Sequence, residues 1–162
     1  MRRKPLLLVD IDGVISLFGF PHDRRPEGLW TQVEGIAHLL SATAATTLLD
    51  LTSDFEPVWC SGWEDKANEN LPGLLGLGPW PILHFDRSRG AGTSLAGHWK
   101  LDAINAHCGP DRPLAWVDDV LDDVCERWAA ARPGPTLLVR TDPAVGLTAR
   151  DVPALRAFAA QG

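Results

Sequence analysis

The sequence lacks the marks of a disulfide-rich, a membrane-spanning or a broadly nucleic-acid-binding protein. Its three cysteines, Cys60, Cys108 and Cys125, are an odd number with no Cys-x-x-Cys spacing, which argues against a disulfide framework and against a zinc finger. No apolar run approaches the roughly 20 residues of a membrane helix. The formal net charge of −6 disfavours a broad basic face for nucleic acid. We therefore expect three reduced thiols in or near the core, no membrane partner, and nucleic acid only as a substrate.

We expect no signal peptide at residues 1–9, and the sequence shows no internal repeat or interdomain linker. Residues 1–5 are basic, but the apolar run that follows is short and ends in Asp10, unlike a signal peptide. The 162 residues, 45% of them hydrophobic and 22% charged, fit one globular domain. We expect a cytoplasmic protein with a single domain over residues 1–162.

Short apolar segments alternate with helical segments along the chain. Strands are predicted at 6–9, 57–60, 81–85, 114–117 and 136–140, and helices at about 41–51, 64–71, 98–107, 121–132 and 152–160. Between the first strand and the first helix, two extended arms around the turn-rich segment 21–28 predict a β-hairpin flap over about 16–40. The alternation predicts an α/β fold, a three-layer Rossmann-like sandwich around a mainly parallel five-stranded sheet.

Polar residues recur where the predicted strands end. Asp10 and Asp12 follow the first strand and point the same way by strand alternation, and Gly13 allows a sharp turn after them. The other polar residues at this edge are Ser61, Lys100, Asp118 and Asp119. Because ligands of open parallel sheets bind outside the carboxyl ends of the strands, we expect these residues to meet. Two carboxylates at a dry sheet edge are costly in free energy without a cation, another partner or a chemical role.

Most of these residues also have a purely structural interpretation. Asp10 and Asp12 are acceptable turn and cap residues, and Ser61 is an acceptable N-cap before Glu64. The acidic residues within 118–123 favour a helix start. Lys100 is different, because a lysine near a helix N-terminus opposes the helix dipole, and its position favours a specific anionic partner.

The order Asp-x-Asp-Gly, Ser, Lys, Asp-Asp resembles the haloacid dehalogenase (HAD) superfamily of phosphatases and phosphotransferases. The motifs are LLLVDIDGV, PVWCSG, GHWKLDA and LAWVDD, spread over residues 6–119. The resemblance implies a five-stranded sheet in the order 5-4-1-2-3. Asp12 and Ser61 are 49 positions apart, and Ser61 and Lys100 are 39 apart. Neither interval can hold a full cap domain, so we expect a capless site beneath the flap.

The resemblance implies a Mg²⁺-dependent phosphomonoester hydrolase. Asp10 would be the nucleophile that forms an aspartyl-phosphate, and Asp12 the general acid and base. Ser61 would donate a hydrogen bond to a phosphoryl oxygen, and Lys100 would neutralise developing negative charge.

The same resemblance implies a Mg²⁺ site built from oxygen ligands. They would be the Asp10 carboxylate, the Asp12 backbone carbonyl and the Asp118 carboxylate, with Asp119 as a supporting or alternate ligand.

Further residues are candidates for binding the non-reacting part of an anionic substrate. They are Gly62, Trp63, Arg24, Arg25, Arg87 and Arg89. For the arginines, and for His22 and His38 on the flap, a solvated or packing role is the favoured alternative. The resemblance implies that such an open site takes a phosphorylated substrate, either a small molecule or the end of a macromolecule, or that oligomerisation closes it.

Other functions remain open at this stage. A polynucleotide end phosphatase and a phosphotransferase would use the same residues. A non-catalytic protein that binds a phosphorylated ligand is also compatible with the motifs. A signalling receiver domain is disfavoured, because it places its acidic pair first along the chain, whereas the Asp118-Asp119 pair comes last here.

Overall fold

The α/β class is confirmed by the computed structural model, which describes residues 2–86 and 98–161. The strands are β1 (Leu6–Val9), β2 (Ser16–Leu17), β3 (Gly28–Val33), β4 (Ile36–Ser41), β5 (Glu56–Trp59), β6 (Leu114–Asp118) and β7 (Thr136–Arg140). The helices are α1 (Ala42–Leu51), α2 (Asp65–Leu75), α3 (Leu101–Cys108), α4 (Asp123–Ala131) and α5 (Val152–Gln161).

Four parallel strands form the main sheet in the order β5-β1-β6-β7. The central strand β1 is a run of four buried residues, as expected for a strand covered on both faces. Leu8 lies opposite Val58 of β5 on one side and Trp116 of β6 on the other. This register brings the ends of β1, β5 and β6 to the same edge.

The fifth strand predicted over 81–85 is reduced to one parallel bridge between Trp59 and Ile82. The bridge lies beside β5, where the Trp59 N–H donates to the Pro81 carbonyl at 2.8 Å and the Leu83 N–H donates to the Trp59 carbonyl at 2.9 Å. Pro81 has no N–H to extend the ladder, and proline is confined to strand edges for that reason. The main sheet of the described residues therefore has four strands instead of the predicted five.

The two faces of the sheet bury separate apolar clusters, which gives three layers. Leu7 and Val9 of β1 face a cluster completed by α1, α2 and α5. Leu6 and Leu8 face the other cluster, completed by α3 and α4. This division follows from strand alternation, which sends successive side chains to opposite faces.

The flap is a three-stranded antiparallel sheet in the order β2-β4-β3, and the predicted position of its hairpin turn is wrong. The turn lies at Glu34-Gly35, where φ is +49° and +79°, the two-residue geometry that joins twisted antiparallel strands. The segment 21–28 instead connects β2 to β3 and contains a 3-10 turn over His22–Arg24. The stretch predicted as one extended arm is thus a hairpin in itself.

Helix boundaries differ slightly from the prediction for local reasons. Ser41 caps α1 by accepting from the Ala44 N–H at 3.0 Å, as the sequence predicts. Helix α2 continues past the predicted end through Pro72 and stops at Gly76, whose φ is +70°. Asp122 caps α4 by accepting from the Cys125 N–H at 3.0 Å, which confirms its helix-start role.

The predicted positions of the cysteines are confirmed, since Cys60, Cys108 and Cys125 are free and buried. None of the helices in the described ranges has the length and hydropathy that crossing a bilayer requires.

Candidate functional site

Four of the predicted site residues lie buried at the carboxyl edge of the main sheet. Asp10 follows β1, Asp118 ends β6, Ser61 lies two residues beyond β5, and Lys100 directly precedes α3. Each of these residues is at most 6% exposed. Charged side chains are rarely buried to this extent without a partner, so their mutual contacts decide how the site is built.

The Lys100 ammonium lies between two carboxylates. Its Nζ is 3.1 Å from Asp10 Oδ1 and 2.6 Å from Asp118 Oδ2. It also donates to the Cys60 backbone carbonyl at 3.0 Å. These three acceptors come from the ends of β1, β6 and β5, so one side chain links three neighbouring strands. The sequence predicts this meeting, although it places Lys100 inside the helix rather than just before it.

The carboxylates around Lys100 carry more negative charge than its ammonium balances, and this excess affects their pKa values. Burial raises the pKa of Asp10, and the negative charge of Asp118 raises it further, against the opposing effect of Lys100. For Lys100, burial opposes the charged form, but Asp10 and Asp118 outweigh it and hold the pKa above its usual value. Burial and the neighbouring Asp118 also raise the pKa of Asp119. Negative charge is thus in excess at this edge.

Three carboxylates form a cluster that could hold a metal ion. One oxygen from each of Asp10, Asp118 and Asp119 lies within 4.8 Å of the other two. With Lys100 the four groups carry a formal charge of −2 when all are ionised, which a divalent cation would balance. Carboxylate oxygens are hard ligands of the kind that Mg²⁺ and Ca²⁺ prefer.

Gly13 makes room for the third carboxylate of the cluster. A Cβ atom at this position would lie 2.3 Å from Asp119 Cγ, and the backbone φ of Gly13 is +82°. The Thr141 hydroxyl donates to the Gly13 carbonyl at 2.8 Å, and the Thr141 N–H donates to the Asp118 carbonyl at 3.1 Å. Thr141 therefore ties the loop after β1 to the loop after β6. Sequence reasoning missed Thr141, because no motif signals it.

Asp12 differs from the other predicted site residues in being exposed. Its side chain is 57% exposed, and its Oδ1 accepts a hydrogen bond from the Trp63 indole Nε1 at 3.2 Å. The His38 Nδ1 lies 3.9 Å from the same oxygen. The structure thus places the Asp12 carboxylate at the open side of the site, between the flap and the loop after β5.

Ser61 is buried, and its side chain organises the loop that follows β5. Its Oγ accepts from the Trp63 backbone N–H at 3.1 Å. The alternative of Ser61 as the N-cap of α2 is wrong, because Glu64 occupies that position. A hydroxyl can accept one hydrogen bond and donate another, so the observed contact is compatible with donation to a phosphoryl oxygen.

The predicted substrate-binding residues are only partly brought to this edge. Trp63 is nearly buried at 8% exposure and contacts Asp12, and Gly62 is exposed beside it. Arg24 lies in an exposed turn. Arg25 lines a groove of about 480 Å³ with Trp30 and Leu39.

That groove opens on the face of the flap away from Asp12. Trp30 pairs with Leu39, and Thr31 pairs with His38, so alternation places the groove residues and His38 on opposite faces. The structure therefore does not bring Arg25 to the acidic cluster. Arg87 and Arg89 lie outside the described residues.

His38 contributes more to the site than the sequence indicates. Its ring packs edge-on against Trp63 with centroids 4.9 Å apart, and its Nδ1 lies 2.7 Å from the Ser16 Oγ. The sequence favours a packing role for this histidine, and Ser16 is not among the predicted site residues.

Comparison with family models, with curated proteins and with solved structures finds no match to this chain.

Proposed function

We propose that the protein is a Mg²⁺-dependent phosphomonoester hydrolase of the HAD type that forms an aspartyl-phosphate on Asp10. The observation that carries the proposal is the position of Lys100, whose ammonium lies between the Asp10 and Asp118 carboxylates at 3.1 Å and 2.6 Å. A buried lysine with two acidic partners at the carboxyl edge of a parallel sheet suits a site for a transferring phosphoryl group.

The oxygen donors of the acidic cluster are of the kind that Mg²⁺ prefers. Asp10, Asp118 and Asp119 supply carboxylate oxygens, and the cluster includes neither a thiol nor an imidazole. When bound, Mg²⁺ would neutralise charge on the phosphoryl oxygens and orient them. The excess of negative charge described above supports a divalent cation over a monovalent one.

Each protein group then has a definite task. An oxygen of the Asp10 carboxylate attacks phosphorus, and the bond from phosphorus to the ester oxygen breaks. The departing oxygen takes a proton from Asp12. Asp12 next removes a proton from water, which attacks phosphorus, releases inorganic phosphate and restores the Asp10 carboxylate. Lys100 balances charge near Asp10 throughout.

Two finer features of the proposed family belong to this hypothesis. The single bridge at Ile82 lies beside β5, where the outer strand of a 5-4-1-2-3 sheet would be. The flap takes the place of a cap domain, which leaves the site accessible to a substrate larger than a simple phosphate ester.

The test is hydrolysis of an aryl phosphate with and without Mg²⁺, comparing the wild type with Asp10→Asn. We expect Mg²⁺-dependent turnover in the wild type and a loss of at least about 10³-fold in the variant. Asp123→Asn, which changes an exposed carboxylate at the start of α4, is the matched control and should retain full activity.

The intermediate gives a second measurement. Acid quenching during turnover should trap a phosphate on Asp10, identified by peptide mass. If a broad panel of phosphate esters is not hydrolysed while inorganic phosphate still binds, the non-catalytic alternative replaces this proposal.

A further inference from the structure

The exposed carboxylate of Asp12 is held in place by a buried aromatic side chain. An aspartate that is 57% exposed would ordinarily sample several rotamers in water. Here Oδ1 accepts from the Trp63 indole N–H at 3.2 Å. Trp63 itself is 8% exposed, so the donor is fixed by packing, and the hydrogen bond selects one orientation of the carboxylate.

Trp63 is in turn fixed from two directions. Its backbone N–H donates to Ser61 Oγ at 3.1 Å, which ties it to the loop after β5. Its ring meets the edge of His38, with centroids 4.9 Å apart and planes inclined by 63°, a favourable arrangement of aromatic rings. The flap and the main sheet thus hold the indole together.

The position of His38 is fixed by contacts within the flap. Its Nδ1 lies 2.7 Å from Ser16 Oγ, and Ser16 is only 3% exposed. Ser16 belongs to β2 and His38 to β4, and these strands are paired. The Ser16 carbonyl also accepts from the Gly13 N–H at 2.8 Å, so the flap is anchored to the turn next to Asp12.

This contact matters because it distinguishes the two oxygens of Asp12. A donor on Oδ1 favours placing an acidic proton on Oδ2. A general acid contributes only when its proton is aimed at the departing oxygen. The hydrogen bond to Oδ1 therefore fixes the direction in which the Asp12 Oδ2 proton points.

We propose that Trp63 and His38 are positioning residues that aim Asp12 at the leaving oxygen of the substrate. The inference rests on the proposed phosphatase function and deepens it, because it concerns one step. As the phosphorus–oxygen bond breaks, the leaving oxygen takes the proton from Asp12 Oδ2, and Asp12 becomes a carboxylate that still accepts from the indole.

The leaving group supplies the test. An alkyl phosphate releases a basic alkoxide oxygen that must be protonated, whereas an aryl phosphate with a strongly acidic phenol departs without help. We expect Trp63→Phe to lose roughly 10²-fold in kcat on the alkyl ester, in the lower range of general-acid contributions, and less than about 3-fold on the acidic aryl ester. His38→Ala should show the same selectivity with a smaller loss.

Two further variants separate positioning from general damage. Trp128→Phe is the matched control, since the Trp128 indole N–H donates to Asn105 Oδ1 at 2.8 Å on the opposite face of the sheet, and both esters should react normally. Trp63→Phe combined with Asp12→Asn should be no slower than Asp12→Asn alone, because residues that act as a unit are not additive. An equal loss on both esters, or additive losses, would overturn the inference.

A measurement without turnover keeps the inference separate from the proposed function. The indole N–H resonance of Trp63 in the ¹⁵N-labelled protein should move upfield and lose protection from exchange in Asp12→Ala, which removes the acceptor oxygen, while the Trp128 resonance stays unchanged. If the resonance moves but wild type hydrolyses neither ester, the phosphatase proposal has failed and its proton step with it. If wild type is active and the resonance does not move, the positioning inference alone is wrong.

Discussion

The carboxylate of Asp119 lies directly over Gly13, so closely that a Cβ on Gly13 would be 2.3 Å from Asp119 Cγ. The atoms that a Cβ would meet belong to the Asp119 side chain, so relieving the clash means moving the Asp119 carboxylate. Gly13 follows the Asp-x-Asp pair, and Asp119 belongs to the acidic cluster. The smallest side chain at position 13 is therefore a condition for assembling the cluster.

Gly13→Ala should lose metal binding in addition to some stability. The added methyl group displaces Asp119, and a positive φ is unfavourable for alanine. We expect the Mg²⁺ affinity, measured by isothermal titration calorimetry, to fall at least about 10-fold, the equivalent of about 1.4 kcal/mol.

Gly76→Ala is the control for backbone strain. Gly76 also has a positive φ, +70°, but a Cβ there would meet nothing within 4 Å. This variant should lose roughly 1 kcal/mol of unfolding free energy and keep its Mg²⁺ affinity. Equal affinities in both variants would contradict the assignment of Asp119 to the cluster.

Mg²⁺ should stabilise the folded protein through the acidic cluster. A ligand that binds only the native state at 100 times its Kd adds about 2.7 kcal/mol, and each 1 kcal/mol raises the Tm of a chain of this size by about 2–4 °C. Differential scanning calorimetry with and without saturating Mg²⁺ should show this rise in the wild type. Asp118→Asn should abolish it, and Asp123→Asn should not.

Lys100→Met should be strongly destabilising in metal-free buffer. The substitution removes the cation between Asp10 and Asp118 and leaves both carboxylates buried, a situation that typically costs about 3–5 kcal/mol. Urea unfolding measures the effect. Lys66→Met removes a lysine that pairs with Glu34 at 2.5 Å but is 41% exposed, and it should cost at most about 1 kcal/mol.

The double variant Lys100→Met with Asp118→Asn tests whether the uncompensated carboxylates cause the loss of stability in Lys100→Met. It should be less destabilised than the sum of the single changes, since the second substitution removes one of the uncompensated charges. Additive losses would indicate that Lys100 stabilises the fold by packing alone.

The sequence predicts the centre of the site better than its surroundings. Asp10, Ser61 and Asp118 follow buried strands, and parallel strands deliver their ends to one edge whatever the loops do. The pairing of β1 with its two neighbours is therefore enough to place them. Lys100 needs only the start of a helix at the same edge.

The sequence predicts the flap less accurately than the centre of the site, because the register of the flap strands depends on one turn. Glu34-Gly35 is a less recognisable hairpin signal than Asn-Gly or Asp-Gly, and the Pro/Gly-rich segment 21–28 competes with it in the sequence. A shift of one residue in a strand moves every side chain to the other face. The sequence alone therefore does not determine whether His38 faces Asp12.

The cysteines give a pH-dependent prediction. Burial raises the pKa of Cys108 and of Cys125 to about 11, and it raises the pKa of Cys60 as well. Only the thiolate is reactive, so an aromatic disulfide reagent at mildly alkaline pH should modify no thiol of the native protein rapidly and all three after denaturation. Reactivity of the native thiols should rise as pH approaches 11. Fast modification of one thiol below pH 9 would contradict this burial.

The effect of Asp10→Asn on the Tm should depend on metal. We expect the variant to be at least as stable as the wild type without metal and less stable with Mg²⁺. Since burial and the neighbouring Asp118 raise the pKa of Asp10, the folded protein holds a proton there more tightly than the unfolded chain. Stability from this group is present below the unfolded pKa, about 3.9, and is lost as pH rises through the folded pKa. Asparagine cannot ionise, so in metal-free buffer at neutral pH the variant should have a Tm equal to or above that of the wild type.

Saturating Mg²⁺ should reverse this order, because only the wild type retains the full set of carboxylates and gains the binding free energy. The two Tm values, measured with chelator and with Mg²⁺, therefore cross. A variant that is less stable than wild type under both conditions would show that Asp10 supports the fold. A crossing would show that its charge is held at the sheet edge at a cost in stability, and that a divalent cation offsets this cost.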